Sequence, residues 1–281
     1  MGRIKRGWNL AKLSWGVLQR DRSLAWFPII SSIASIIAVI AVAIPGYLIV
    51  GLDQRSPGQY VVGALIAFVA TFVAIYFNVA LVSCAKRSFE GADTTVAEGL
   101  AAANGRLGVI FKWTLLATTV GILLRLLEER LPLAGRIAVW IVGAAWTIAT
   151  YFIVPVLAFE NVGPVDALKR SGTIVKKNWG EAVIGNVGIS AAVFLLSMLV
   201  ALPLGALAMV MIGTSIGLLS IVLFVLAGAV LLIGAIVGST LTQIFNTALY
   251  TYANTGTVPG GFDAGDMRAA FTAKKRGGLL G

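Results

Sequence analysis

The chain has 281 residues, 58% of them hydrophobic and only 12% charged, with a net charge of +10. Soluble domains carry about twice that charged fraction, so the composition excludes an ordinary water-soluble globule and points to a chain solvated by lipid. The lone Cys84 excludes an internal disulfide and a cysteine-based metal site, and the lack of histidine removes the commonest metal ligand and general base.

The first segment, GWNLAKLSWGVLQRDRSLAWFP, places Trp8 and Trp15 at helical spacing and predicts an amphipathic helix. The Ala41-Val42-Ala43 triplet looks like a leader cleavage site. The basic stretch before it is too long for a secretory leader, however, and an uncleaved chain is expected. A bilayer core about 30 Å thick takes roughly 20 apolar residues per helical crossing. Six stretches qualify: Leu24–Val50, Tyr60–Cys84, Leu107–Leu127, Ile137–Phe159, Ala182–Ile212 and Gly217–Tyr250. Pro203 is the natural kink in the fifth.

The basic residues fall on one side of this arrangement. All but Arg55, Arg125, Arg130 and Arg136 lie in the N-terminal segment, in the loops after the second and fourth spans, or in the tail. Positive loops stay inside, so both termini are expected in the cytoplasm. The expected setting is a prokaryotic cytoplasmic membrane.

Spans two, four and six end alike. Phe152 precedes Gly163, and Phe245 precedes Gly256, by eleven residues, while Phe77 precedes Gly91 by fourteen. Each glycine reads as a helix stop. Leu100 and Phe111, and Leu168 and Trp179, sit eleven apart in the segments that follow the first two stops. Leu10-Ala11-Lys12-Leu13-Ser14 resembles Ala167-Leu168-Lys169-Arg170-Ser171. The expected fold is therefore all-α: a polytopic membrane bundle of six transmembrane helices in three hairpin repeats with interfacial amphipathic helices. The six-span domain covers residues 1–253, in units of about 1–91, 92–163 and 164–256. A basic, mobile tail is expected over 254–281.

The segment from Pro164 to Trp179 carries one apolar face, Val165, Leu168, Gly172, Val175 and Trp179, expected to lie in the membrane interface. Its cations Lys169, Arg170, Lys176 and Lys177, together with Lys86 and Arg87, form a candidate site for anionic lipid headgroups or a charged partner. Alternatively, the cations serve only as the topology signal. All twelve acidic residues lie outside the apolar stretches, which argues against a proton- or cation-coupled carrier. Neutral polar residues do lie within spans. Asn78, Asn186, Gln243 and Asn246 are candidates to line a polar cavity, or else to make hydrogen bonds between helices along with the span serines and threonines. Gly234 and Gly238 form a small-xxx-small pair that marks close helix packing, within the bundle or in a dimer. No catalytic, nucleic-acid-binding or phosphate-loop motif is present.

The run Pro155, Glu160, Gly163, Pro164, Ala167, Leu168, Ser171 and Trp179 resembles the membrane domain found fused to some bacterial glycerophosphodiester phosphodiesterases, shared with related six-span proteins of unknown function. The N-terminal Trp8, Leu10, Ser14, Trp15, Val17 and Leu18, followed by Leu24, Trp26, Phe27 and Pro28, is similar to one such uncharacterised prokaryotic family. The soluble phosphodiesterase domain, with its metal-binding carboxylates and histidines, has no counterpart here, so the resemblance implies a membrane module and not a hydrolase. The function expected is a non-catalytic scaffold or regulatory subunit without cofactor or metal. Its partners would be anionic lipids, another membrane protein or a second copy, and not nucleic acid. The alternative is a permease or lipid transporter with a polar cavity open to the inner leaflet or cytoplasm.

Overall fold

The computed structural model describes residues 3–51, 56–178, 182–212, 217–262 and 265. Arg55, Trp179 and the tail cations Arg268, Lys274, Lys275 and Arg276 lie outside the described residues, as do the side chains of Arg3, Lys5, Arg6 and Asn186.

Among the described residues every regular element is helical. In chain order they are α1 (Arg3–Arg20), a single 3-10 turn (Arg22–Ala25), α2 (Trp26–Val50), α3 (Pro57–Phe89), α4 (Val96–Asn104), α5 (Leu107–Arg130), α6 (Leu133–Ala149), α7 (Ile153–Phe159), α8 (Pro164–Asn178), α9 (Ala182–Met211) and α10 (Gly217–Thr255). Six stretches are long and apolar enough to cross a membrane: α2, α3, α5, α6 with α7, α9 and α10. The all-α polytopic bundle is thus observed.

Three local features differ from expectation. The fourth span is broken at Thr150–Phe152 and continues as α7. Pro155, in the first turn of α7, is the cause. It has no N–H to give to the Tyr151 carbonyl, and its ring would crowd that carbonyl in a continuous helix. Second, Gly91 and Gly256 do stop helices, with φ of 87° and 69°, but Gly163 does not. α7 ends at Phe159 with Glu160 extended at φ −104°. Gly163 instead opens α8, its carbonyl accepting the Ala167 N–H at 2.8 Å. Third, the predicted face of α8 is rotated. Ala167, Ser171, Ile174 and Val175 are buried, whereas Val165 is 53% exposed. Its packing partners are α5, α6 and α7, so the face that protein takes up is offset from the one that sequence periodicity assigns to the membrane interface.

The contacts divide the chain into two compact units, one of Trp26–Trp179 and the other of Met1–Ala25 with Gly180–Gly281. In the first unit the core lies around the last turns of α3. Val79, Ala80, Leu81, Val82 and Ala85 are fully buried, as are Phe27, Ala103, Ile110 and Phe152. Gly99 of α4 sits where a Cβ would collide with Phe27 and Cys84, so α4 can press onto α2 and α3 only with glycine there. Trp113 of α5 and Trp146 of α6 stack with centroids 5.9 Å apart. Elsewhere large apolar side chains such as Ile37, Leu48, Ile49 and Leu133 stay exposed, the pattern a lipid solvent permits.

In the second unit α9 and α10 form a hairpin. A Cβ at Gly234 would strike the Ser197 hydroxyl, and one at Gly238 would lie 3.5 Å from Val193. The small-residue pair therefore serves the α9–α10 seam. α1 packs on both helices through Ala11, Val17 and Leu18. Ile244, Phe245, Ala248 and Leu249, in the last turns of α10, are buried in the same unit.

Candidate functional site

The expected cations separate into two groups. Lys86 and Arg87 end α3. The Lys86 ammonium lies 4.6 Å from the centre of the Phe159 ring, a cation–π arrangement. The Arg87 guanidinium pairs with Glu98 at 3.1 Å. Glu98 is also the second half of a capping box. Its backbone N–H donates to the Thr95 hydroxyl at 3.3 Å, and the Thr95 N–H donates back to its carboxylate at 3.0 Å. The Thr95 N–H, with help from Arg87, holds the Glu98 carboxyl below the usual carboxylate range. At the other end of α4, the Tyr76 hydroxyl donates to Asn104 at 2.8 Å. α4 is thus tied to α3 at both ends.

Arg170 is tied in the same way. Its Nε–H donates to both Glu160 oxygens, at 2.9 and 3.1 Å, which grips the α7–α8 connection. Arg106 reaches the adjacent Asn161 at 3.4 Å. On the buried side of α8, the Ser171 hydroxyl accepts the Phe152 N–H at 3.0 Å. That N–H is left without a helical partner by the break before α7. These residues hold the unit together, and their charge is largely spent. Lys169, Lys176 and Lys177 differ. Lys169 has only a long, exposed contact to Asp166 at 3.7 Å, worth little on a surface. Lys176 and Lys177 are exposed and have no acidic partner among the described residues. The available basic face is therefore this stripe on α8.

The expected polar residues fall in both units. Asn78 is half-buried on α3 in one unit, whereas Gln243 and Asn246 lie on α10 in the other. Asn246 is buried, and its side-chain oxygen has no hydrogen-bond partner. The hydroxyls of the spans mostly satisfy themselves within their own helix, against the interhelical expectation. Ser32 donates to the Pro28 carbonyl, Thr119 to Leu115 and Thr240 to Ile236. An unpartnered carbonyl lone pair four residues back is nearer than any neighbouring helix. Ser190 and Thr242, 3.4 Å apart, do bridge α9 and α10.

The second unit carries two grooves beside the Ser197–Gly234 contact. One, of about 680 Å³, lies between α9 and α10 and has Ser190, Ser197 and Ser239 as its hydroxyls. The other, of about 530 Å³, is closed by α1 through Trp8, Ala11, Lys12 and Trp15. Neither is lined by Gln243 or Asn246. Sequence reasoning noted the Trp8–Trp15 spacing but missed the groove, which needs three helices from distant parts of the chain.

Residues 58–261, from α3 through α10, match the model of the Family of unknown function (DUF6159). The chain belongs to that family. No curated protein and no solved structure matches it. Membership fits the helical membrane architecture and attaches no activity to it. Within the family's matched stretch lie all six expected cations and both walls that α9 and α10 give to the grooves.

Proposed function

We propose that this chain is a non-catalytic membrane module, a scaffold or regulatory subunit of a prokaryotic cytoplasmic membrane with both termini inside. The basic stripe of α8 gathers anionic lipid headgroups. The observation that carries this is the division among the cations. Arg87, Arg170 and Lys86 are engaged within the unit, while Lys169, Lys176 and Lys177 point away from the buried face of α8. Unspent lysines beside apolar spans, on a helix anchored by its other face, suit a negatively charged leaflet surface. The resemblance to the membrane domain fused to some bacterial glycerophosphodiester phosphodiesterases implies a membrane module and not the hydrolase, which favours the same assignment.

The test is the lipid retained by purified protein. Each lysine near an anionic surface contributes roughly a factor of five, so neutralising three weakens capture roughly a hundredfold, and reversing their charge weakens it further. The variant K169E/K176E/K177E, reconstituted in nanodiscs of mixed anionic and zwitterionic lipid, should lose the enrichment of anionic lipid around the wild type. Equal enrichment would overturn the proposal.

A further inference from the structure

The α1 groove is a built feature with one chemical asymmetry. Its walls from α9 and α10 are apolar, with Leu196, Val200 and Ile233 among them, each exposed by 47% or more. Its remaining wall is one stripe of α1. Trp8, Lys12 and Trp15 stand at i, i+4 and i+7, so they share a helix face. Both tryptophans are more than 40% exposed. Lys12 is exposed as well and has no acidic partner among the described residues. The groove's volume, about 530 Å³, falls within the range of small-ligand sites. Tryptophan favours the headgroup level of a bilayer, with its ring in the apolar layer and its N–H toward water. A largely apolar groove lined by one lysine without an acidic partner among the described residues, which stands between two tryptophans along its helix face, matches one class of molecule: an acyl chain with a negative headgroup.

We infer that the groove formed by α1, α9 and α10 holds one anionic phospholipid, with an acyl chain along Leu196, Val200 and Ile233 and its phosphate at Lys12. Trp8 and Trp15 bracket the headgroup. The site is separate from the stripe on α8, and its occupancy does not rest on that stripe. Lys12 supplies charge selection, because a zwitterionic lipid offers its phosphate together with a compensating cation. The apolar walls supply retention, because each buried methylene favours the bound state.

Native mass spectrometry of the detergent-purified chain, titrated with phosphatidylglycerol and in parallel with phosphatidylcholine, tests this. Wild type should bind one phosphatidylglycerol more tightly than the rest and show no such first step with phosphatidylcholine. Lys12→Gln should weaken that step about fivefold and Lys12→Glu roughly thirtyfold, while Lys12→Arg retains it. Val200→Trp, on an exposed wall, should fill the channel and abolish the step. Inorganic phosphate should not compete, since it lacks the chain. K176E/K177E should keep the step even if the α8 proposal is correct, which separates the two sites. Thermal unfolding with zwitterionic lipid checks that each variant is folded. An equal first step in Lys12→Glu and Val200→Trp, an equal preference for phosphatidylcholine, or displacement by inorganic phosphate would each overturn the assignment.

Discussion

Ser171 on α8 and Ser14 on α1 occupy matched places in two similar stretches, and both are fully buried. Ser171 accepts the Phe152 N–H at 3.0 Å, whereas the Ser14 hydroxyl has no hydrogen-bond partner among the described residues. Phe152 sits at a break that Pro155 imposes, so its N–H needs an acceptor, and Ser171 supplies it. The same contrast extends to the charges. In the α2–α8 unit Arg87, Arg170 and Lys86 are engaged by Glu98, Glu160 and Phe159. α1 is held by apolar packing, and Lys12 is exposed with no acidic partner among the described residues. Polar groups spent on holding a helix cannot also bind, so the capacity left over lies with the cations that hold nothing, Lys169, Lys176 and Lys177 on α8 and Lys12 on α1.

The largest expected effect divides the two serines. Ser171→Ala would leave a buried N–H without an acceptor, at a cost of about 1–3 kcal/mol. Ser14→Ala removes a hydroxyl without a partner among the described residues and improves helix propensity, so it should be neutral or stabilising. Thermal unfolding in detergent should show a lowered midpoint for the first variant alone. Equal losses would break the comparison, because they would mean that Ser14 has a partner after all.

A smaller effect sharpens the charge contrast. Arg170 is 44% exposed and Glu160 22% exposed, so solvent screens their bidentate pair and its coupling should not exceed about 1 kcal/mol. A double-mutant cycle on Arg170→Gln and Glu160→Gln isolates that coupling. Lys12→Gln, assayed without anionic lipid, should leave stability unchanged. If Lys12 mattered as much as Arg170 under those conditions, α1 would be held by charge as well.

Much of this arrangement is legible in the sequence, and the parts that are not have physical reasons. Hydropathy finds the six spans because each must be apolar over a bilayer's thickness. It places their ends poorly. α3 runs on to Phe89 and α10 to Thr255, past the apolar stretch, and each stops only where Gly91 and Gly256 turn to positive φ. The break before α7 was written in Pro155, whose missing N–H matters four residues upstream, but hydropathy does not register it. The stripe of lysines on α8 could be read directly. Which cations were spoken for could not, since Arg87 and Glu98 are eleven residues apart and Arg170 and Glu160 ten, across turns that only the fold defines. The rotated face of α8 has the same origin. Ser171 and Ala167 look indifferent by hydropathy but pack against α7 because they are small.

The smallest expected effect concerns how firmly α4 is fastened, and Cys84 reports it. Cys84 is buried, and its thiol donates to the Thr95 carbonyl at 3.6 Å. Opening the first turn of α4 would therefore uncover it. Glu98 closes that turn twice, through the Thr95 backbone and through Arg87. Its carboxyl is held below the usual range, chiefly by the Thr95 N–H. A depressed carboxylate stabilises the folded state above its unfolded-state pKa, and that contribution is lost as pH falls through the folded-state value. At neutral pH the cap is therefore intact, and it should open only in acid, below the ordinary carboxylate range. Glu98→Gln imitates the protonated side chain at neutral pH, where thiol chemistry is unchanged. It should raise the rate at which a maleimide labels Cys84 severalfold, while Glu129→Gln, whose partner Arg125 lies on the same exposed helix surface, should not. Labelling of Cys84 that is indifferent to Glu98 would mean that Gly99, pressed onto Phe27 and Cys84, fastens α4 without the charge. The contrast between a tethered unit and an apolar one would then narrow to Ser171 and Arg170.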